Sequence, residues 1–410
     1  MSDAGLRALS LLGLVGIVAI AWLFSTERRR LPWRVVAWGS GLQLALGLLL
    51  LRTEAGRRFF VGVNDAVNGL VRFTDAGTQF VFGSLVEGGF SFALEVLPII
   101  VFMGSVFGIL YHLGVVQRLV GLLARALSRS MGSSGAESLA AVANVFVGMT
   151  EAPLLVRPYL ERMTRSELFC VMTTGMATIA GSVLVAYAKM LGAPGYAGHL
   201  VTASLLSAPA GVLIAKVMVP ETETPLTGAA AGALVARRTV NVIDAASEGA
   251  LAALRLAAYV GGLLIAFVAL VAMANAGVET LGGWLGAPGL TLQRIFGFAF
   301  APLALLMGIA PADALEVGSL LGLKTVLNEF LAYRDLAAQI AAGTISERSA
   351  VIASYGLCGF ANFGSLAILI GGMGGMAPSR RGEIAALGMR SILAGTLASA
   401  MTGCVAGILL

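Results

Sequence analysis

Eight long apolar runs constrain this chain more than any other feature. They fall at about 8–25, 34–52, 90–112, 166–190, 197–219, 257–276, 348–372 and 384–408. Each is near the 20 or so apolar residues that an α-helix needs to cross the hydrocarbon core of a bilayer. Lipid offers the backbone no hydrogen bonds, so only helices and closed barrels span it. Runs of this length are too long for barrel strands. The expected fold class is therefore an all-α polytopic membrane protein of about eight transmembrane helices. Composition agrees: 12% of residues are charged and 58% hydrophobic, whereas soluble domains carry about 25% charged residues.

The same pattern excludes several classes. The net charge of +5 is small for 410 residues, and the basic residues sit in short loops, not in a stripe, so no nucleic-acid partner is expected. Cys170, Cys358 and Cys404 lie in apolar segments without CxxC spacing, which argues against a disulfide framework. His112 and His199 stand alone near segment ends and read as structural. No zinc motif, Ser/Lys dyad or Gly-rich phosphate loop is present, so an enzyme is not expected and no catalytic residue is assigned.

The first run is preceded by Asp3 and followed by Arg28, Arg29, Arg30 and Arg34. It has no signal-peptide cleavage pattern, and reads as a retained span with its N-terminus outside. The connections then expected inside hold Arg28 to Arg30, the region from Arg118 to Arg165, Lys216 with Arg237 and Arg238, and Arg380 with Arg381, while 191–196 and 277–290 hold no Lys or Arg. This follows the positive-inside rule, with Arg52, Arg57 and Arg58 as exceptions, and an even number of spans puts the C-terminus outside too.

Two moderately apolar stretches, 133–160 and 310–336, are interrupted by charges and by Gly or Pro. They read as re-entrant hairpins, which enter the membrane and leave by the same side under protein cover. Residues 54–75, 114–130 and 238–255 have mixed faces and read as interfacial helices.

The chain also repeats itself. Gln117-Arg118-Leu119-Val120-Gly121 matches Gln293-Arg294-Ile295-Phe296-Gly297; Met131-Gly132 matches Met307-Gly308; Ala136-Glu137 matches Ala312-Asp313. Each copy continues into a hairpin with a glutamate, Glu151 or Glu329, then a Ser-Glu pair, Ser166-Glu167 or Ser346-Glu347, that opens a long span. Each span carries a polar interruption, at Ala177–Ser182 or Phe360–Ser365. The two copies start on opposite sides, and inverted repeats with broken helices are a transporter signature.

A carboxylate in a bilayer is costly and requires a reason. For Glu151 and Glu329 the reasons are a structural ion pair, with Arg157 or Lys324 as local candidates, or a substrate or ion site. Their matched positions favour a site; Glu95, which has no counterpart, reads as structural. Asn144, Thr150, Asn328, Asn362 and Ser365 lie beside the two glutamates. Such a set suits a polar, uncharged solute, because carboxylates accept strong hydrogen bonds from hydroxyl groups.

These residues also carry a resemblance. Gly148-Met149-Thr150-Glu151-Ala152-Pro153-Leu154 resembles the G-Q-T-E-A-P-L motif in the first hairpin of the concentrative nucleoside transporter family. Asn328-Glu329-Phe330 with Ala332-Tyr333 resembles its N-E-F-x-A-Y, and Cys358-Gly359-Phe360-Ala361-Asn362 its C-G-F-A-N. The three stand in family order and spacing. The resemblance implies a homotrimer in a bacterial inner membrane, in which a scaffold holds a moving transport domain. On that plan 1–113 holds N-terminal spans, an interfacial helix and a scaffold helix. Residues 114–219 are the first repeat, 220–290 a cytoplasmic interfacial helix and a scaffold helix, and 291–410 the second repeat. The implied substrate site is Met149, Thr150 and Glu151 at the nucleobase, and Glu329, Asn362 and Ser365 at the ribose, with Phe360 lining it. The implied coupling-ion site for Na+ is Asn144, Val147, Thr178 and Ile179, all oxygen donors, as a hard cation prefers. Proton coupling through a glutamate is the alternative. Met149 departs from the family's glutamine: a thioether is at best a weak acceptor, so altered base discrimination is expected.

Overall fold

The computed structural model describes every residue except 1, 89–90, 193–194, 228–238, 285 and 288. Arg237 and Arg238, counted above among the inside charges, lie outside the described residues. All regular elements that are described are helical. The first three are α1 (Asp3–Leu23), α2 (Trp33–Arg52) and α3 (Glu54–Phe82). α3 runs past the expected end at 75, because nothing in Phe73–Phe82 breaks a helix until Gly83 takes a positive φ of 56°. A turn of π-helix at Phe92–Val96 leads into α4 (Leu97–His112).

The first repeat follows. α5 (Val115–Met131) is amphipathic and ends at Gly132, in the left-handed conformation with φ 75°. Hairpin 1 descends as α6 (Gly135–Val147), turns at Gly148–Glu151, and returns as two short helices, α7 (Ala152–Leu155) and α8 (Arg157–Leu160). A broken helix comes next, α9 (Arg165–Ala177) and α10 (Gly181–Leu191), and then the continuous α11 (Tyr196–Met218). α6 and α9 both open on capping boxes, Ser134 with Glu137 and Thr164 with Glu167, in which side chains satisfy the first orphan amides.

After α12 (Val242–Trp284) the second repeat takes the same order: α13 (Leu292–Leu306), hairpin 2 as α14 (Ala314–Val326) and α15 (Glu329–Ala342), a broken helix as α16 (Glu347–Leu357) and α17 (Phe363–Met376), and α18 (Arg381–Leu409). The ascending arm of hairpin 2 extends beyond the expected 336, to Ala342. Among the described residues seven helices, with α9–α10 counted as one, are long and apolar enough to cross a membrane. The eighth expected span is α16–α17, whose halves are individually too short.

One expectation is corrected. The interfacial helix 238–255 and the span 257–276 are a single helix, α12, of 43 residues. At about 1.5 Å per residue it is roughly 65 Å long, more than twice the hydrocarbon core. Polarity changes along it, but no proline interrupts the backbone ladder, so the helix continues. Only 6% of its most apolar window is buried within the chain. It is anchored on α4 through a seam of small residues: a Cβ added to Gly249 would lie 2.3 Å from the carbonyl of Gly104, and one added to Gly108 would lie 2.4 Å from that of Ala245. Small residues let two membrane helices approach closely enough for backbone contact. Gly249→Val is therefore expected to force α4 and α12 apart at a cost of about 1–3 kcal/mol, read as a lowered unfolding midpoint in detergent, whereas Gly262→Val, where a Cβ meets nothing, leaves the midpoint unchanged.

α9–α10, α11 and α18 form the interior; 83–89% of the most apolar window of each is buried. Lys216, counted above as a loop residue, is a correction too. It is 4% exposed at the end of α11. Its Nζ lies 2.6 Å from Glu137 of α6 and 3.1 Å from Glu221, and donates to Ser166 of α9 at 3.0 Å. It therefore locks the bases of hairpin 1 and the broken helix together.

Candidate functional site

The site forms where backbone regularity fails. α9 stops at Thr178 and α16 at Cys358, both in non-helical conformations, and the two breaks cross. A Cβ on Gly359 would lie 2.8 Å from the carbonyl of Met176 and 3.0 Å from that of Ala177, so only glycine lets them pass. The tip of hairpin 1 closes on the first break: Gly148, at φ 92°, has no room for a Cβ against Ala180, 2.7 Å away. Together the two tips and two breaks enclose a cavity of about 130 Å³.

All seven residues expected at a substrate, Met149, Thr150, Glu151, Glu329, Phe360, Asn362 and Ser365, line this cavity. Glu329 is its most constrained group. It is 3% exposed, at the first position of α15, where the positive end of the helix dipole favours an anion. Its Oε1 accepts from the Tyr187 hydroxyl at 2.8 Å, and its Oε2 accepts from Asn362 Nδ2 at 2.8 Å. Asn362 is fixed in turn: its Oδ1 accepts from the Ser365 amide at 2.7 Å and caps α17. Asn328 caps α15 in the same way, accepting from the Leu331 amide at 3.0 Å. A carboxylate offers about four acceptor sites; two are used here and the others remain for hydroxyl donors. Across the cavity, Thr150 donates to Glu151 Oε2 at 2.5 Å, and both residues are exposed.

Neither local ion pair considered from the sequence forms within 4 Å among the described residues. Arg157 is exposed, and Lys324 donates to the Gly356 carbonyl. Glu95 does have a structural partner, Lys189, at 3.5 Å, which it shares with Asp75. His112 meets Thr239, and His199 meets Tyr355.

Two contributions escaped the sequence. Tyr187, on α10, is fully buried, stacks on Tyr333 at 4.5 Å and reaches Glu329 from 142 residues away. Its only marker was a lone tyrosine in an apolar run. The fourth wall of the cavity comes from α12, as Leu256, Val260, Leu263 and Phe267. Apolar residues on a long apolar helix carry no local sign of such a role.

Asn144 and Val147 lie in the last turn of α6, before the tip of hairpin 1, and Thr178 and Ile179 lie in the break that ends α9, the helix against which α6 packs. Asn144 is 0% exposed; its Nδ2 donates to the Ala140 carbonyl and to Thr174, and its Oδ1 is buried without a partner. An unsatisfied buried acceptor costs about 1–3 kcal/mol, and it is the group a cation would satisfy. Val147 closes α6, where carbonyls lack helical partners. Thr178 donates its hydroxyl hydrogen to the Thr174 carbonyl at 2.9 Å, which leaves its oxygen lone pairs available. An amide oxygen, a hydroxyl and backbone carbonyls carry no net charge, and such an all-oxygen set would suit a hard cation of low charge.

The chain is similar to known proteins over nearly its whole length. Residues 199–407 match the family described as Na+ dependent nucleoside transporter C-terminus, residues 12–85 its N-terminus, and residues 93–194 a nucleoside-recognition Gate domain. An uncharacterized transporter of Haemophilus influenzae is 44% identical over 407 residues, covering 97% of each chain. Solute carrier family 28 member 3 of Rattus norvegicus is 44% identical over 412 residues, covering 97% of this chain and 58% of that protein. Among solved structures, CNTnw in an inward-facing substrate-bound state superposes with a TM-score of 0.92 at 43% identity over 98% of each chain, and a CNTnw variant in an outward-facing state with a TM-score of 0.93 at 43% identity over 99% of each. An integral membrane protein built on inverted repeats, the chain belongs to the Na+-dependent, concentrative nucleoside transporter family.

Proposed function

We propose that this protein is a symporter that imports nucleosides on a sodium gradient by elevator-type alternating access. The observation that carries this reading is the convergence of both hairpin tips and both helix breaks on one mainly apolar cavity, into which they bring Thr150, Glu151, Asn328, Glu329, Asn362 and Ser365. Glu329, Asn362 and Ser365 would take the ribose, and Met149, Thr150 and Glu151 the base, with Phe360 at the wall. Sodium would sit on Asn144, Val147, Thr178 and Ile179. Gly148 links Asn144 to Met149: its amide donates to the Asn144 carbonyl at 3.2 Å. The ion site and the tip that would contact the base thus share one short stretch of backbone, so ordering of one would bear on the other. The smooth face of α12, with Leu256, Val260, Leu263 and Phe267, makes no directional bond to the site, as a wall past which a loaded domain slides requires.

The remaining expectations fit the same picture. Both termini would lie outside the inner membrane of a bacterium. Three copies would assemble about scaffold helices, and the largely uncovered α12 supplies apolar surface for lipid and partner copies. Linkage tests the reading: sodium must tighten nucleoside binding by the factor by which nucleoside tightens sodium binding. In calorimetry on the purified protein, uridine affinity should rise with sodium concentration, and replacement of sodium by choline should abolish it. Equal affinity in choline would sink the sodium site.

Met149 is 8% exposed, and its Cβ lies 3.2 Å from where a Cβ on Gly175 would stand. Met149→Gln restores a donor and an acceptor at the base. The discrimination between uridine and purine nucleosides is expected to sharpen by about fivefold, the equivalent of one added hydrogen bond of about 1 kcal/mol. Competition by a nucleoside panel reads this ratio, and an unchanged ratio would remove Met149 from base recognition.

A further inference from the structure

The two repeats share a plan but end their first half-helices in different chemical company. In repeat 1 the C-terminal end of α9 meets the buried, unpartnered Oδ1 of Asn144. In repeat 2 the C-terminal end of α16 meets a side chain that is itself a cation. Lys324 lies in the last turn of α14, the arm that corresponds to α6, and is 0% exposed. Its Nζ donates to the carbonyl of Gly356 at 2.9 Å. Gly356 is the last-but-one residue of α16, as Met176 is of α9. No carboxylate of the described residues lies within 4 Å of this ammonium; Lys324 and Glu329 flank the tip of hairpin 2, one in the last turn of α14 and the other at the start of α15. A buried ammonium without an anionic partner in contact is expensive to retain. What it gains here is the negative end of a helix dipole and the field of a nearby carboxylate.

We propose that Lys324 is a tethered cation that occupies, in the second repeat, the place that sodium takes in the first. The inference rests on the sodium-site reading above. On this reading one sodium binds per protomer, at Asn144, and the place beside the second break needs no soluble ion. A second sodium is excluded because its place is filled covalently. Lys324 acts through Glu329 and the end of α16, and is a positioning residue.

The test is the sodium dependence of uridine binding to the purified full-length protein, taken as the slope of log affinity on log sodium concentration below saturation. Wild type should give a slope of one. Asn144→Ala should flatten it towards zero; a retained slope there would reject the sodium site itself, independently of Lys324. Lys324→Ala vacates the place beside the Gly356 carbonyl, so binding at low sodium should weaken by about tenfold or more, equivalent to about 1.4 kcal/mol, and the slope should rise towards two. Lys324→Met fills the space without the charge, so it should show the same weakening with a slope that stays at one and no recovery at high sodium. A structural role alone would weaken both variants with the same slope, and would overturn the proposal. Wild-type affinity in Lys324→Met would overturn it as well, and this variant keeps the test valid should Lys324→Ala fail to fold.

Discussion

Glu329→Gln is expected to weaken nucleoside binding by at least about 100-fold while leaving the fold intact. The carboxylate receives Tyr187 and Asn362 at 2.8 Å each. An amide cannot accept at both ends: one of its faces is NH2, and it would confront a donor. The same change removes the charge that ribose hydroxyls would meet. A hydrogen bond to a charged group contributes about 1.5–3 kcal/mol, so weakening the two that ribose hydroxyls would make to the free acceptor sites amounts to about 3 kcal/mol, or about 100-fold in affinity. Glu95→Gln is the control. That carboxylate pairs with Lys189 away from the cavity, and its loss should leave affinity unchanged. Calorimetric titration of both variants with uridine checks the pair; equal affinities would take Glu329 out of the site.

The second large effect concerns stability. Lys216→Met leaves Glu137, which is 1% exposed, without its cation. Removal of one partner of a buried pair costs about 3–5 kcal/mol, whereas removal of both is often close to neutral. The unfolding midpoint in detergent should therefore fall by several degrees in Lys216→Met and recover in part in Lys216→Met combined with Glu137→Met, which still lacks the bond that Glu137 accepts from the Ser134 amide in the α6 capping box. Glu221 and Ser166 would then retain partners, since Glu221 accepts from Thr164 and Ser166 donates to the Val219 carbonyl. A double variant no more stable than the single one would show that Lys216 acts by filling space rather than by charge.

Much of this architecture was legible in the sequence, because membrane physics writes it in long stretches. Span length, the charges and glycines that interrupt a hairpin, and two copies of one order of elements are all local or periodic signals. The breaks at Thr178–Ala180 and Cys358–Asn362 were visible for the same reason: polar residues cannot interrupt an apolar helix without a structural cause. What sequence could not give depends on partners far along the chain. Tyr187 is an ordinary aromatic until Glu329 comes to it. Lys216 counts as a loop charge until Glu137 buries it. Lys324 was considered as a local ion-pair partner for Glu329, but the fold gives it the carbonyl of Gly356. The division of α12 into two helices followed its change in polarity, whereas backbone hydrogen bonding continues wherever no proline or capped stop intervenes. The apolar wall of the cavity was invisible because on a membrane helix the side facing lipid and the side facing a site look alike.

The most direct test of sodium-driven nucleoside transport is uptake of ³H-uridine into proteoliposomes. An inward sodium gradient should drive accumulation above the external concentration. An inward proton gradient in choline should drive none, and Asn144→Ala vesicles should not concentrate uridine under either gradient. Concentrative uptake on the proton gradient alone, or uptake indifferent to sodium, would contradict the account.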